Sequence, residues 1–194
     1  MNRRIRDGLA EPRRAFRALA ELARGYLVRL SCRLRGVRFR AGRNLRIGGR
    51  LIVRGPGVVV FGDNVRVDGR VTPWTYRKDA LIEIGSGTYL NGASFGAMSR
   101  ITVGPLCIIG RASLMDTDFH STRADRHDPA APIRVAPVVL EENVWIGAQV
   151  GILPGTTIGR NSVVGFGAVC SGAYPPNMII AGNPARPVKP IPEQ

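Results

Sequence analysis

Between residues 140 and 170 an inward-looking apolar position recurs every six residues without a slip: Leu140, Ile146, Ile152, Ile158, Val164 and Cys170. Four residues after each of the first five stands a small or β-branched side chain, namely Val144, Val150, Thr156, Ser162 and Ala168. Gly147, Gly159 and Gly165 follow the aliphatic residue directly. A helix would space apolar residues by three and four, and a lone strand would alternate them. A period of six fits neither. It fits a solenoid in which each hexad is one short strand plus a corner, three hexads close a triangular coil, and coils stack at about 4.8 Å. The pattern predicts an all-β solenoid of parallel strands.

Weaker hexads precede this run. Ile84 with Thr88 and Leu90 with Ser94 are in phase, and Val103 with Cys107, Ile109 with Ser113, and Met115 form a second run one residue out of register with the first. Ile47, Val53, Phe61 and Val67 begin the series. From 119 to 138 the rhythm stops in a stretch rich in Asp, Arg, Pro and Ala, which predicts an extended loop leaving one corner. Six prolines between Pro175 and Pro192 predict a cap that ends the stack. At the other end Phe16, Leu19, Ala23, Tyr26, Leu27, Leu30 and Leu34 share one helical stripe, with Arg13, Arg14, Arg17, Arg24 and Arg29 largely off it. The expected organisation is therefore a basic amphipathic helix and linker over 1–44, a β-helix over 45–174 and a Pro-rich tail over 175–194.

Charge changes this picture less than its total suggests. The net charge is +14, but 14 arginines against three acidic residues lie in the first 46 positions, so the body is close to neutral. The arm offers only Phe16, Tyr26 and Phe39 for stacking and no nucleic-acid module, so a nucleic-acid partner is not expected. An arginine-flanked apolar helix suits an anionic membrane surface, or else packs its stripe on the first coil. No segment approaches the ~18 apolar residues of a spanning helix, and three cysteines without a C-x-x-C pair argue against a disulfide framework. The expected location is cytoplasmic, with peripheral attachment at the inner face of a membrane as a further option. Cys107 and Cys170 occupy packing positions of the hexads.

The hexads, the D-T-D-F-H-S segment at 116–121, V-W-I-G-A at 144–148 and A-G-N-P-A-R at 181–186 together resemble the hexapeptide-repeat acyltransferases. The likeness is greatest to sugar O-acetyltransferases of the maltose/galactoside and exopolysaccharide type. It implies a left-handed parallel β-helix and a homotrimer, with acetyl-CoA held between neighbouring subunits. His120 matches the catalytic histidine, and a neutral imidazole suits removal of the proton from an attacking sugar hydroxyl. Asp116 or Asp118 would orient that ring. Asn91 and Trp145 match acceptor-side positions. Gly147 and Ala148 match the backbone that meets the thioester, and Gly165, Phe166 and Gly167 the pantetheine contact, where Phe166 is bulkier than the usual residue. Arg186 and Lys189 match cations facing the nucleotide phosphates, whereas Ser171-Gly172 lacks the lysine often found there.

The resemblance thus implies an acetyl-CoA-dependent O-acetyltransferase acting on a sugar or lipid-linked sugar, in exopolysaccharide or lipopolysaccharide biosynthesis. An amino-sugar N-acetyltransferase and a non-catalytic membrane-associated scaffold are the alternatives. No metal is expected: a metal site of the three-histidine kind is excluded by the presence of only His120 and His127.

Overall fold

Each hexad becomes one strand and one corner. Trp145–Ile146, Gly151–Ile152, Thr157–Ile158, Val163–Val164 and Val169–Cys170 are two-residue strands whose second residue is buried and whose first is not. The computed structural model describes residues 12–192, with side chains from Arg14 onward. Residues 1–11 of the expected arm and the side chain of Arg13 lie outside the described residues.

The strands form three sheets around one core. The first has seven strands, from Arg38–Ala41 to Ala173–Tyr174. The second has eight, from Arg46–Ile47 to Ala185–Pro190, and the third has six, from Arg50–Leu51 to Val169–Cys170. Among the described residues every pairing between these strands is parallel except the last, between Met178–Gly182 and Ala185–Pro190. In the regular region Val139 pairs with Thr157, Trp145 with Val163 and Gly151 with Val169, so one coil takes three hexads. Across the excursion Ile101 pairs with Val138, so the added residues leave the stack and return in register. The inward positions from Leu140 to Cys170 are all buried, as are Ile47, Val53, Phe61 and Val67.

Both ends of the solenoid differ from expectation. Strand Arg38–Ala41 already pairs with Val58–Phe61, so the stack begins seven residues before position 45. The parallel ladder continues through Met178–Gly182 in spite of the neighbouring prolines, because Pro175 and Pro176 fall in the corner rather than the strand. The tail then folds back as the antiparallel strand.

Helix α1 (Pro12–Leu34) caps the first coil, but through the face opposite the expected stripe. Gly25 is buried against the Leu45 carbonyl, which a Cβ there would strike, and Glu21 and Cys32 are also buried. Glu21 accepts a 3.0 Å hydrogen bond from Arg17, and Arg66 approaches it to 3.7 Å. Arg24 reaches the carbonyls of Ile47 and Gly48, and Arg29 that of Gly42. Phe16, Leu19, Tyr26, Leu27, Leu30 and Leu34 point away and are 53–79% exposed. Helical periodicity located the stripe correctly. What it could not weigh was the anchoring strength of one small residue and one buried carboxylate on the other side.

One corner column holds the coils in register. Asn44, Asn64, Asn143, Asn161 and Asn177 have φ of 56–60°, and Gly87 and Leu106 share that left-handed conformation. Each amide from Asn64 to Asn177 donates to a carbonyl of the coil before it, as Asn161 does to Glu142 and Asn177 to Arg160. Side-chain amides link Asn143 to Asn161 at 3.1 Å and Asn161 to Asn177 at 2.8 Å. Asparagine tolerates this backbone region because its short polar side chain bonds locally. Leu106, at φ 61° and 54% exposed, has neither advantage. Leu106→Asn is therefore expected to raise the free energy of unfolding by roughly 0.5–1 kcal/mol in urea titration. A lower midpoint would mean that the leucine's packing outweighs its strain.

The three cysteines are free and buried. Burial raises the Cys32 thiol and pushes those of Cys107 and Cys170 up to about 11, as packing residues require.

Candidate active site

The excursion between Met115 and Val138 is tied at its neck. The Ala136 amide donates to the Asp116 carbonyl at 2.8 Å, the Asp118 amide to the Arg134 carbonyl at 3.2 Å, and Thr117 bridges Val135 in antiparallel fashion. The Asp116 carboxylate, fully buried, accepts from the Met98 and Ser99 amides at 2.8 and 2.7 Å. It fixes the neck to the preceding coil. Phe119 then turns through φ 60°, its amide donating to Thr117 Oγ1 at 3.1 Å. That turn lays its ring on the third sheet and leaves His120 exposed just beyond.

The ring lands on a prepared surface. Outward positions along the third sheet place Trp74, Gly96 and Met115 side by side on successive strands. A Cβ on Gly96 would come within 2.7 Å of the Phe119 ring, so the missing side chain makes the seat. Trp74 stacks on Tyr76 at 5.0 Å, Tyr76 meets Phe119 edge-on at 4.8 Å, and the Arg54 guanidinium lies 5.3 Å over Trp74. Desolvation in this cluster raises the Tyr76 hydroxyl above its ordinary range. A cavity of about 160 Å³ opens here, floored by Thr72, Ser94 and Ser113. The two serine hydroxyls are 3.0 Å apart. At the other end of the same sheet Thr72 and Ser94 also line a cavity of about 420 Å³ that contains Asn91. Hydroxyl groups below and aromatic faces beside suit a polyol with apolar C–H faces.

The remaining expected residues lie on the second sheet and its corner. Trp145 stands outward between Ile108 and Val163, 52% exposed. The Gly147 amide donates to the Val164 carbonyl at 2.9 Å and the Gly165 amide to Ile180 at 2.8 Å. The Gly167 amide donates to the Ala148 carbonyl, whereas the Ala148 amide donates to no carbonyl among the described residues. Phe166 projects from this corner, 70% exposed. Arg186 and Lys189 are exposed on the closing antiparallel strand. Within one chain the residues thus form two groups, His120 beside the third sheet and Trp145 to Lys189 along the second, while Asn91 ends strand Tyr89–Asn91 of the second sheet at the edge of the third. The His120 ring has no hydrogen bond to either aspartate among the described residues. The aromatic shelf of Trp74, Tyr76 and Phe119 was missed in the sequence. The alternation V-T-P-W-T-Y at 71–76 places Trp74 and Tyr76 on one outward face and could have revealed it. No group of residues fit to hold a metal ion occurs among the described residues.

Comparison with known proteins agrees with this geometry. Residues 137–172 match the family described as bacterial transferase hexapeptide (six repeats). The chain is 29% identical over 175 residues to WbbJ of Escherichia coli K12, provisionally named a lipopolysaccharide biosynthesis O-acetyl transferase; the match covers 84% of this chain and 78% of that one. It is 35% identical over 104 residues to a galactoside O-acetyltransferase of Lactococcus lactis, about half of each chain. Among solved structures, the hexapeptide-repeat acetyltransferase VCA0836 of Vibrio cholerae in complex with acetyl-CoA is similar at 25% identity with a TM-score of 0.54, over 76% of this chain and 72% of that one. AntD, an N-acyltransferase from Bacillus cereus, shares the fold with a TM-score of 0.61 at 24% identity, over 83% and 88%. The chain is thus similar to hexapeptide-repeat transferases over residues 137–172, and to named O-acetyltransferases over longer stretches.

Filling the seat under Phe119 tests the site's architecture. Gly96→Ala is expected to displace that ring and lower kcat/KM for acyl transfer about tenfold, because small misplacements at a site are costly. Thermal unfolding should shift by only a few degrees. Undiminished turnover would show that the position of Phe119 is immaterial.

Proposed function

We propose that the chain transfers an acetyl group from acetyl-CoA to a sugar hydroxyl in exopolysaccharide or lipopolysaccharide assembly, with His120 as general base. The observation that supports this reading is the neck that plants Phe119 on the aromatic shelf of a hydroxyl-lined groove, with His120 exposed as the next residue. WbbJ and the galactoside O-acetyltransferases are named for O-acetyl transfer, and VCA0836 binds acetyl-CoA, which supports the donor and the reaction class. The imidazole removes the proton as the acceptor oxygen attacks the thioester carbonyl. The tetrahedral intermediate's oxyanion accepts from the Ala148 amide, and the CoA sulfur leaves with the proton returned by the imidazolium. With Asp116 holding the neck, Asp118 remains as the carboxylate to orient the ring. Asn91 and Trp145 contact the acceptor side, and Gly147, Gly165, Phe166 and Gly167 line the pantetheine path to Arg186 and Lys189. The two groups of residues meet across the subunit boundary of a homotrimer.

His120→Ala is expected to lower kcat by about 10²–10⁴-fold while acetyl-CoA affinity, measured by calorimetry, stays within twofold. Activity close to wild type would remove His120 from the mechanism.

The same reading accounts for the outward stripe of α1. Six large apolar side chains project from the helix beside the exposed Arg17, Arg24, Arg33 and Arg35, the arrangement that binds an anionic lipid surface. Each cation near such a surface contributes about 1 kcal/mol. No helix among the described residues is long and apolar enough to cross a membrane. The wild type should sediment with phosphatidylglycerol-containing vesicles, weakly with phosphatidylcholine alone, and Leu27→Asp/Leu30→Asp should abolish the difference. Vesicle binding unaffected by that double change would assign the stripe elsewhere.

A further inference from the structure

The second cavity on the third sheet has features that the acyl-transfer chemistry does not use. It is lined by Gly69, Arg70, Thr72, Asn91, Gly92, Ser94 and Arg111. Strand register puts Arg70 directly beside Arg50, one coil apart. Like charges directly opposite each other on neighbouring strands are destabilising. At the corner just before these strands Gly69 lies against Gly92, and Gly92 against Arg111. Glycine at this step leaves the space a side chain would fill: a Cβ on Gly92 would lie 2.9 Å from Arg111 Cγ. Gly92 also sits at φ 79°, so the position favours glycine twice over.

None of Arg50, Arg70 and Arg111 has a side-chain hydrogen bond or carboxylate partner among the described residues. Asp68, the nearest acid in sequence to Arg70, is already bonded to Arg66 at 3.1 Å and to the Tyr89 hydroxyl at 3.0 Å. Unpaired guanidinium groups on either side of a glycine gap, with the exposed Asn91 amide beside them, make a cradle for a doubly charged, oxygen-rich anion. Thr72 and Ser94 connect it to the aromatic shelf, since both residues line both cavities. From Arg70 to Trp74 the strand advances four residues, about 13 Å at ~3.3 Å each. A sugar on the shelf beside His120 and a phosphate group in the cradle are thus within reach of one elongated acceptor.

We propose that Arg70 and Arg111, with Asn91, bind the diphosphate of a sugar-diphosphate acceptor. This rests on the acyl-transfer reading for its purpose, though the site is testable without it. Pyrophosphate also occurs in CoA, so the measurements must separate the donor from the acceptor.

The test is titration calorimetry of the full-length protein with inorganic pyrophosphate, UDP-glucose, geranyl diphosphate and CoA as separate probes at fixed low salt. The variants are Arg70→Gln, Arg111→Gln and Gly92→Ala; both arginines are exposed, and thermal melts verify folding. Each arginine change should weaken pyrophosphate and the preferred diphosphate probe about tenfold or more and leave CoA within twofold. Tighter binding of UDP-glucose than of pyrophosphate would identify a nucleotide carrier, and tighter binding of geranyl diphosphate a lipid carrier. Absence of millimolar pyrophosphate binding by the wild type would overturn the proposal. So would a parallel loss of CoA affinity, which would give the cradle to the donor. If the cradle binds as described but the protein transfers no acetyl group, the acyl-transfer reading fails and the anion site stands. In an active enzyme, the arginine variants should raise KM for a diphosphate-bearing acceptor with kcat and KM for acetyl-CoA little changed.

Discussion

Hydrogen bonding from one coil to the next is the constraint on which the rest of the molecule depends. Because strand amides such as those of Ile108, Trp145 and Gly151 donate to the coil after them, and corner amides such as that of Asn161 to the coil before, each outward side chain acquires neighbours at a fixed rise on both sides. Sheet surfaces become columns, and function is written down columns rather than along the chain. The shelf and the serine floor are two columns of one sheet, and the arginine cradle lies at the corner beside them. This is how residues such as Trp74, Ser113 and Phe119 come to line one groove.

The legibility of the sequence follows from the same constraint. Inward positions obey a strict volume requirement every six residues, so Leu140 to Cys170 announced the solenoid without ambiguity. The excursion was visible for the opposite reason, as a stretch where the requirement lapses. Outward columns carry no such period, because their neighbours lie some 18 residues or more away. Arg70, Arg111 and Trp74 therefore carry no periodic signal in the sequence. His120 and Asn91 were found by resemblance rather than periodicity. The division of labour between Asp116 and Asp118 could not be read either: one is a backbone clamp and the other is not, a distinction that depends on where the Met98 and Ser99 amides point.

The helix illustrates a conflict between two good local rules. An apolar stripe predicts the buried face, yet α1 is anchored by Gly25, Glu21 and Cys32 and presents that stripe outward. A glycine allows the helix backbone to approach a carbonyl of the first coil closely, and a carboxylate placed between Arg17 and Arg66 tolerates burial. Once those contacts fix the rotation of the helix, amphipathicity has no say in which side faces the solenoid. The arginine excess of this region is then concentrated around an apolar surface exposed on the outer side of the helix.

The closing strand Ala185–Pro190 has a consequence for how copies of this molecule coexist. A stack of parallel rungs offers, at its last rung, the same unpaired edge that its own interior uses, and a second molecule could continue it. Reversing direction after Gly182 presents a mismatched edge instead, with Pro187 and Pro190 lacking amide hydrogens to offer. With α1 lying over the opposite mouth, the second sheet closes on an edge that cannot continue the parallel ladder, which limits end-to-end growth of a fold that resembles a fibril in cross-section.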